Sequence, residues 1–296
     1  MSLIELTIPP READIGDLLV RRLLPYMKRR TLGPFIFLDH MGPAHYDEGH
    51  GLDVRPHPHI GLATLTYLFD GEILHRDTLG SHQAITPGAV NWMIAGSGIA
   101  HSERTDHAER VHANDVHGLQ FWIALPKEFE EKGAEFAHYE ASTIPTIESP
   151  GVRMKVIAGS AFGEESPVKI HSPLFYVEVH MNAGRHFDLP PQYRERGLYL
   201  IDGAIRVGGE DVTPHTLPVF LPDGTVRIEA VSDAHFVLLG GEPLPEKRFI
   251  WWNFVSSSQE RIEQAKEDWA NGRFGDIPGD KNDALPLPPD RVKSGK

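Results

Sequence analysis

Short apolar runs recur along the chain, with polar turn residues between them. Runs of this kind, bounded by turn signals, predict β-strands. Their spacing, with 28 Gly and 24 Pro as punctuation, is typical of an all-β sandwich or barrel. The runs predicted as strands are residues 35–38, 62–69, 90–94, 119–125, 174–180, 198–201 and 235–239.

Helical pattern is scarce before the C-terminus. The clearest helix is predicted from Ser257 to about Asn271, because Ser257 and Glu260 have the spacing of a capping box and Gly272 follows as a stop signal. A helix here could pack against a barrel or cover its opening as a lid. We favour packing.

An internal echo indicates two similar units. Residues 65–71 and 198–203 both run from apolar positions into an Asp-Gly pair, which predicts a hairpin turn. The two pairs lie 132 residues apart, about the size of one small barrel. Coincidence is the alternative, because such runs are common at hairpins. With a polar linker predicted at 139–151, we expect an N-terminal domain of residues 1–140 and a C-terminal domain of residues 141–296.

Length and composition agree with two domains. The chain has 296 residues, above the usual single-domain size, and its 40% hydrophobic content is enough for two modest cores. No apolar run approaches the roughly 18 residues that span a bilayer, and the first residues lack the order of a signal peptide. We therefore expect a soluble, cytoplasmic protein.

Charge and cysteine content narrow the possible chemistry. A formal net charge of −13 argues against direct nucleic-acid binding, which needs clustered Lys and Arg. The absence of cysteine excludes disulfides, iron–sulfur clusters and thiolate zinc sites, so a metal would be held by histidine, carboxylate or water. Histidine is abundant, with 17 copies, and most lie between His40 and His138.

The segment Arg55-Pro56-His57-Pro58-His59 holds one histidine pair. His57 and His59 stand at i and i+2, so in an extended chain both imidazoles project to one face. The two prolines favour that extended backbone and exclude a helix. A histidine-rich chain also produces such pairs by chance, and a surface turn is the alternative.

His101 and Glu103 form a second i, i+2 pair, after the glycine-rich stretch 95–98. Two strands of one barrel could present both pairs to a shared interior, where His57, His59, His101 and Glu103 would hold one metal ion. His101 alone would more commonly be a hydrogen-bonded core histidine, and Glu103 could instead lie outside in solvent. Inside a barrel, a carboxylate costs several kcal/mol unless it is paired or bound to metal.

These motifs resemble those of the pirin family, a branch of the cupin superfamily. His57-x-His59 followed by Gly98-x-x-His101 is similar to the two cupin motifs. Further pirin-like stretches are spread over nearly the whole chain. They are residues 37–43, 92–103, 117–122 and 251–256.

One departure from the usual cupin pattern is itself pirin-like. Ala63 and Thr64 stand where a cupin glutamate should follow the histidine pair, and Glu103 takes the place of that ligand. The resemblance implies a bicupin, that is, two cupin-type β-barrels, here with a short C-terminal helix. It also implies an N-terminal barrel that holds iron. The implied ligands are His57, His59, His101 and Glu103.

The second barrel is predicted to lack a metal. The 132-residue offset carries His57 and His59 to Leu189 and Pro191, and no His-x-His follows residue 140. The same offset carries Glu103 to His235. We predict structural or surface roles for the histidines of the second half, which are His171, His180, His186, His215 and His235. Hydrogen-bonding or surface roles are the default for His40, His45, His50, His75, His82, His107, His112 and His117.

The resemblance implies a quercetin 2,3-dioxygenase activity, in which a flavonol's central ring is cleaved with O2 and carbon monoxide is released. Fe(II) is the metal that it implies, and the imidazole-rich set would also accept Ni, Cu, Mn or Zn. Glu103 would be the catalytic residue, both ligand and general base.

Two alternatives stay open. Pirins also resemble non-enzymatic regulators, in which the Fe(II)/Fe(III) state changes the surface offered to a transcription factor or a metabolic enzyme. The substrate could also be another small enol or aromatic molecule. In either case we expect a monomer that binds neither nucleic acid nor membrane.

Overall fold

The computed structural model describes residues 2–16 and 18–289 of the chain, and strands dominate it, which confirms the all-β class. The first twelve strands are β1 (Ile4–Ile8), β2 (Arg11–Asp14), β3 (Leu19–Leu24), β4 (Phe35–Tyr46), β5 (Asp53–His59), β6 (Leu62–Gly71), β7 (Ile73–Asp77), β8 (His82–Ile85), β9 (Val90–Ile94), β10 (Ile99–Arg104), β11 (Asn114–Ala124) and β12 (Glu135–Tyr139). The others are β13 (Thr146–Ser149), β14 (Val152–Ala161), β15 (Glu164–Glu165), β16 (Leu174–Met181), β17 (His186–Leu189), β18 (Glu195–Asp202), β19 (Ile205–Val207), β20 (Glu210–Asp211), β21 (Leu217–Phe220), β22 (Val226–Ala230), β23 (Ala234–Gly241), β24 (Phe249–Trp251) and β25 (Phe254–Ser256). Short 3-10 helices cover Glu109–Val111, Lys127–Phe129 and Ala141–Thr143, and the α-helix α1 covers Gln259–Ala270.

Each half of the chain forms a barrel from one large and one small antiparallel sheet. In the first barrel the large sheet has the order β12-β9-β6-β11-β4-β3-β2 and the small sheet β5-β10-β7-β8. In the second, the large sheet runs β1-β21-β18-β23-β16-β14-β13, with β15 beside β14, and the small sheet runs β17-β22-β19-β20. From β2 to β11 and from β13 to β23, apart from the extra β15, equivalent strands occupy equivalent places, so the internal echo reflects a repeated topology.

The two Asp-Gly pairs are not hairpin turns, and that prediction was wrong. β6 and β7 belong to different sheets, as do β18 and β19, so each pair marks the corner where the chain crosses from the large sheet to the small one. Gly71 and Gly203 have φ of 83° and 87°. A Cβ on Gly71 would lie 1.8 Å from the carbonyl oxygen of Asp115, and one on Gly203 would lie 2.2 Å from that of Asp233. Glycine is needed at both corners because of this close approach.

Two segments cross between the barrels. β1, at the start of the chain, pairs with β21 of the second barrel. The β24–β25 hairpin, near the end of the chain, contacts the first barrel, where Phe254 bridges to Ile60. The large sheets also pack against each other through their outer faces. Their shared core includes Tyr67 and Phe121 from the first barrel and Tyr176 from the second.

The predicted C-terminal helix is present, but its N-cap is Ser258 rather than Ser257. The Ser258 hydroxyl accepts a hydrogen bond from the Arg261 backbone N–H, whereas the backbone N–H and hydroxyl of Ser257 bind Glu130. Ile262 packs with Ile60 and Phe254, so the helix has the packing role that we favoured. Within residues 2–16 and 18–289, no helix has the length and apolar character that a membrane span requires.

Candidate metal centre

Two neighbouring strands of the small sheet bring three histidines together. β5 and β10 pair so that His101 lies opposite His57 and Ile99 opposite His59. The ring centroids are 4.4 Å apart for His57 and His101, 5.0 Å for His59 and His101, and 4.9 Å for His57 and His59. Each ring offers a ligand atom within 4.8 Å of the other two. The two predicted pairs therefore meet inside the first barrel.

Backbone carbonyls orient the two imidazoles of β5. Nδ1 of His57 lies 2.8 Å from the carbonyl oxygen of Arg55, and Nδ1 of His59 lies 3.2 Å from that of Asn253. A carbonyl oxygen only accepts hydrogen bonds, so both Nδ1 atoms carry the proton. Nε2 of each ring is therefore left with a bare lone pair, as a metal ligand requires.

His101 is held by two residues that the sequence did not single out. Its Nδ1 lies 3.3 Å from Nδ1 of His75, whose Nε2 lies 3.0 Å from Oδ2 of Asp77. Nε2 of His101 is buried and has no hydrogen-bond partner in the described structure. An unpartnered imidazole nitrogen beside two others fits a bound transition metal, because imidazole is a preferred ligand of Fe, Ni, Cu and Zn.

Glu103 lies beside the histidines but in a second group. A register shift follows His101 in the pairing of β10 with β5. The carboxylate of Glu103 groups within 4.8 Å with His75 and His101, rather than with the three imidazoles of the first group. Its Oε1 accepts a 3.0 Å hydrogen bond from the Thr66 hydroxyl on the facing sheet. Glu103 is thus inside the barrel, as predicted, and His75 is an additional polar neighbour.

Burial controls protonation throughout the centre. It lowers the pKa of His57 to about 4 and, with the neighbouring rings, lowers the pKa of His59 and His101 well below their usual value. All three are therefore neutral near pH 7, the state in which they bind metal. Burial also raises the pKa of Glu103, against the opposing effects of His75 and the Thr66 hydrogen bond.

A row of polar side chains crosses the large sheet opposite the histidines. Pairing across successive strands joins Asn91 to Thr66, Thr66 to Gln120, Gln120 to Asp39, and Asp39 to Arg22. Directly paired residues share one face of a sheet, and Thr66 faces the interior, so the whole row does. Nδ2 of Asn91 and Oε1 of Gln120 are buried without hydrogen-bond partners in the described structure. Two unpartnered hydrogen-bonding atoms of the described structure therefore lie on the residues that flank Thr66, whose hydroxyl binds Glu103.

An aromatic wall adjoins this row. The rings of Phe37 and Trp122 stack with centroids 3.9 Å apart, and Trp122 lies 5.1 Å from the ring of His59. The Arg22 guanidinium lies over Phe37 at 4.4 Å. This wall can contact a flat aromatic molecule near the imidazoles.

Residues from the end of the chain complete the surroundings of β5. Asn253, which holds His59, lies in the turn between β24 and β25. The backbone N–H of Leu285 binds the Pro56 carbonyl, next to His57. In the sequence, the turn that holds Asn253 was marked by the pirin-like stretch 251–256. The contact of this turn with β5 arises from the fold.

Comparison with known proteins is consistent across the chain. The family model described as Pirin matches residues 18–123, and the one described as Pirin C-terminal cupin domain matches residues 176–275. The chain is 48% identical over 289 residues to a pirin-like protein of Caulobacter vibrioides, covering 97% of this chain and 100% of that protein. It is 30% identical over 281 residues to Homo sapiens pirin, covering 92% and 93%. The structure of a quercetin 2,3-dioxygenase from Acinetobacter baumannii superposes with a TM-score of 0.89 at 35% identity, covering 97% of both chains.

Proposed function

The chain belongs to the pirin family, and on that basis we propose that its first barrel holds a mononuclear Fe(II) centre. This centre cleaves flavonols with O2, as a quercetin 2,3-dioxygenase does. The observation that carries this proposal is the convergence of three neutral imidazoles beside a buried carboxylate. The structural likeness to the Acinetobacter baumannii dioxygenase supports it. We further propose that domain 1–140 holds the metal and domain 141–296 holds none.

The proposed ligands are His57, His59, His101 and Glu103. When bound, a divalent iron supplies Lewis acidity toward a substrate oxygen and the redox chemistry that O2 requires. The three rings would hold such an ion through Nε2, because every Nδ1 already has a partner. Ni, Cu, Mn and Zn suit the same donors, so metal analysis of protein from its own host decides the identity.

Glu103 is proposed as the general base. It takes the proton of the flavonol 3-hydroxyl at Oε2, the carboxylate oxygen that Thr66 does not hold. In the metal-free protein burial raises the pKa of Glu103, which favours proton uptake by this carboxylate.

The polar row and the aromatic wall are proposed to position the substrate. Nδ2 of Asn91 can donate to a flavonol oxygen, and Oε1 of Gln120 can accept from a hydroxyl. The ring system would lie against Trp122, whose indole is close to His59.

The test is direct. The protein is reconstituted with Fe(II) without oxygen, mixed with quercetin and then exposed to air. We expect loss of the flavonol absorbance and release of carbon monoxide. Absence of both, in protein that has taken up iron, would refute the dioxygenase proposal.

A regulatory function is the second candidate, and one contact favours it. His59 is hydrogen-bonded to Asn253, in a turn flanked by the partly exposed Trp251 and Trp252. A change at the metal could pass through this bond to a surface that a protein partner binds. Hydrogen exchange of residues 249–256 should then differ between the Fe(II) and Fe(III) forms, and equal exchange would remove this candidate.

A further inference from the structure

Asp77, His75 and His101 form one chain of hydrogen bonds that ends at the metal centre. β10 places Asp77 directly across from His101 and places His75 across from Glu103, in the pairing with β7. The links are 3.0 Å from Oδ2 of Asp77 to Nε2 of His75, and 3.3 Å from Nδ1 of His75 to Nδ1 of His101. All three side chains are buried, and Asp77 is 0% exposed.

The direction of each hydrogen bond follows from the carboxylate. An ionised carboxylate only accepts, so Nε2 of His75 donates to Asp77. In a neutral imidazole the other nitrogen is then an acceptor, so Nδ1 of His75 receives the proton of Nδ1 in His101. His101 is left with a bare Nε2, the buried atom without a partner in the described structure.

We infer that Asp77 and His75 are positioning residues that hold His101 in the one neutral tautomer able to bind the metal. The inference rests on the proposed metal site but not on the reaction. His57 and His59 need no such relay, because backbone carbonyls hold their Nδ1 atoms. Nδ1 of His101 has no carbonyl partner in the described structure. The side chains of Asp77 and His75, here called the relay, orient its ring instead.

Further contacts hold both Asp77 and His75 in place. Oδ1 of Asp77 accepts hydrogen bonds of 2.9 Å from the backbone N–H groups of Leu79 and Ser81. The ring of His75 stacks on Phe136 with centroids 4.3 Å apart. Oδ1 thus binds the turn between β7 and β8, and Oδ2 binds His75. A change of one atom can therefore separate the two roles.

Asp77→Asn makes that separation. The turn needs an acceptor at Oδ1, so the new amide keeps its oxygen there and presents its NH2 group to His75. His75 must then accept at Nε2 and donate from Nδ1, which forces His101 to accept at Nδ1 and carry its proton on Nε2. A proton on Nε2 blocks the metal.

The tautomers are measured in metal-free protein by the 15N shifts of the imidazole nitrogens, and affinity is measured by titration with Zn2+ alone. In the unmodified protein we expect His101 to be protonated at Nδ1 and His75 at Nε2. In Asp77→Asn we expect both tautomers to invert and the Zn2+ affinity to fall by about 10–100-fold, as for other outer-sphere ligand partners. Asp53→Asn is the matched control, because Asp53 lies on β5 but pairs with Arg104 and Arg110. It should change neither quantity.

Either of two results would overturn the inference. One is a proton on Nε2 of His101 in the unmodified protein, a measurement that needs no variant to fold. The other is unchanged tautomers and Zn2+ affinity in folded Asp77→Asn, which would leave Asp77 as a turn cap only. Neither readout involves a flavonol or O2, so failure of the dioxygenase proposal would leave this test intact.

Discussion

The two barrels share a topology but differ in what fills them. In the first barrel the small sheet carries an inward cluster of histidine and carboxylate. In the second, the equivalent strands pair in the same order around an apolar interior. The fold therefore does not require the polar cluster. The same barrel also forms around an apolar core.

Strand pairing defines which positions correspond. Matching the corners at Gly71 and Gly203 aligns Ile73 of β7 with Ile205 of β19, and strand pairing then aligns β10 with β22 and β5 with β17. By this alignment His57, His75, His101 and Glu103 correspond to the apolar residues Leu189, Val207, Val226 and Ile228. The polar row changes in the same way, since Thr66, Gln120, Asp39 and Arg22 correspond to Leu198, Leu238, Val177 and Val156.

The second barrel does have a histidine group, on its outer face. Oε1 of Glu178 lies 2.9 Å from Nε2 of His235 and 3.3 Å from Nε2 of His180, and Oε2 accepts from the Tyr67 hydroxyl of the first barrel. Hydrogen bonds from His180 and His235 outweigh burial and lower the pKa of Glu178. Lys155 lies across from Glu178 on β14 and adds positive charge. This group links the barrels, and its surroundings do not favour a cation.

The largest effect is expected when proposed metal ligands of the first barrel are replaced by the corresponding residues of the second. The combined change His57→Leu, His101→Val and Glu103→Ile removes three of the four proposed ligands and should abolish metal binding. The metal-free protein should become more stable, because each unpaired buried nitrogen costs about 1–3 kcal/mol. Metal content and denaturant unfolding measure the two effects. A folded variant that still binds one equivalent of metal would contradict the site.

Glu103→Gln tests the base without removing the histidines. The amide keeps the shape of the side chain but cannot take a proton, so turnover should fall by at least about 100-fold while metal is retained. Steady-state kinetics with quercetin and metal analysis check this. Full activity would remove the assignment of Glu103 as base.

Acid should weaken the first barrel through its buried imidazoles. Between pH 6.5, the usual pKa of histidine, and pH 4, the unfolded chain binds a proton that His57 in the folded state does not. The free energy of unfolding of the metal-free protein should therefore fall as the pH drops through this range, by about 3 kcal/mol for His57 alone.

Urea unfolding at several pH values measures the slope of the free energy of unfolding against pH. His57→Phe is the comparison, because it leaves every other titrating group in place. Its slope should be shallower between pH 6.5 and 4. Equal slopes in the two proteins would show that His57 does not stay neutral.

Glu178→Leu should destabilise the protein without affecting the metal. It leaves the buried hydroxyl of Tyr67 without its acceptor, at a cost of about 1–3 kcal/mol. The unfolding midpoint should drop while metal content stays the same. Glu210→Leu, at an exposed position on β20, is the control and should change neither. Loss of metal in Glu178→Leu would mean that the outer group supports the centre.

The smallest expected effect concerns the polar row of the large sheet. Gln120→Leu gives the first barrel the residue of the second at that position and should raise KM for quercetin by about 10-fold, the loss of one hydrogen bond. Gln83→Leu is the matched control, because the Gln83 amide binds the carbonyl of Ala84 on β8. An unchanged KM in Gln120→Leu would exclude Gln120 from substrate binding.

Correspondence between the barrels was predictable only in outline. The 132-residue offset holds for β5 and β7, since strand pairing places Leu189 at the position of His57 and Val207 at that of His75. It fails at Glu103, because the offset leads to His235 on the large sheet, whereas strand pairing places Ile228 there. Bulges and loops of different length change the register from strand to strand, so one offset cannot hold along the whole chain.

Local pattern determined the strands and the two pairs of candidate ligands, because alternation along an extended chain puts residues i and i+2 on one face. Tertiary structure alone decided that these pairs meet, that His75 and Asp77 hold His101, and that Asn253 holds His59. Those contacts join residues up to 194 positions apart, as for His59 and Asn253. Strand register and the packing of a distant hairpin create them, and neither leaves a periodic signal in the sequence.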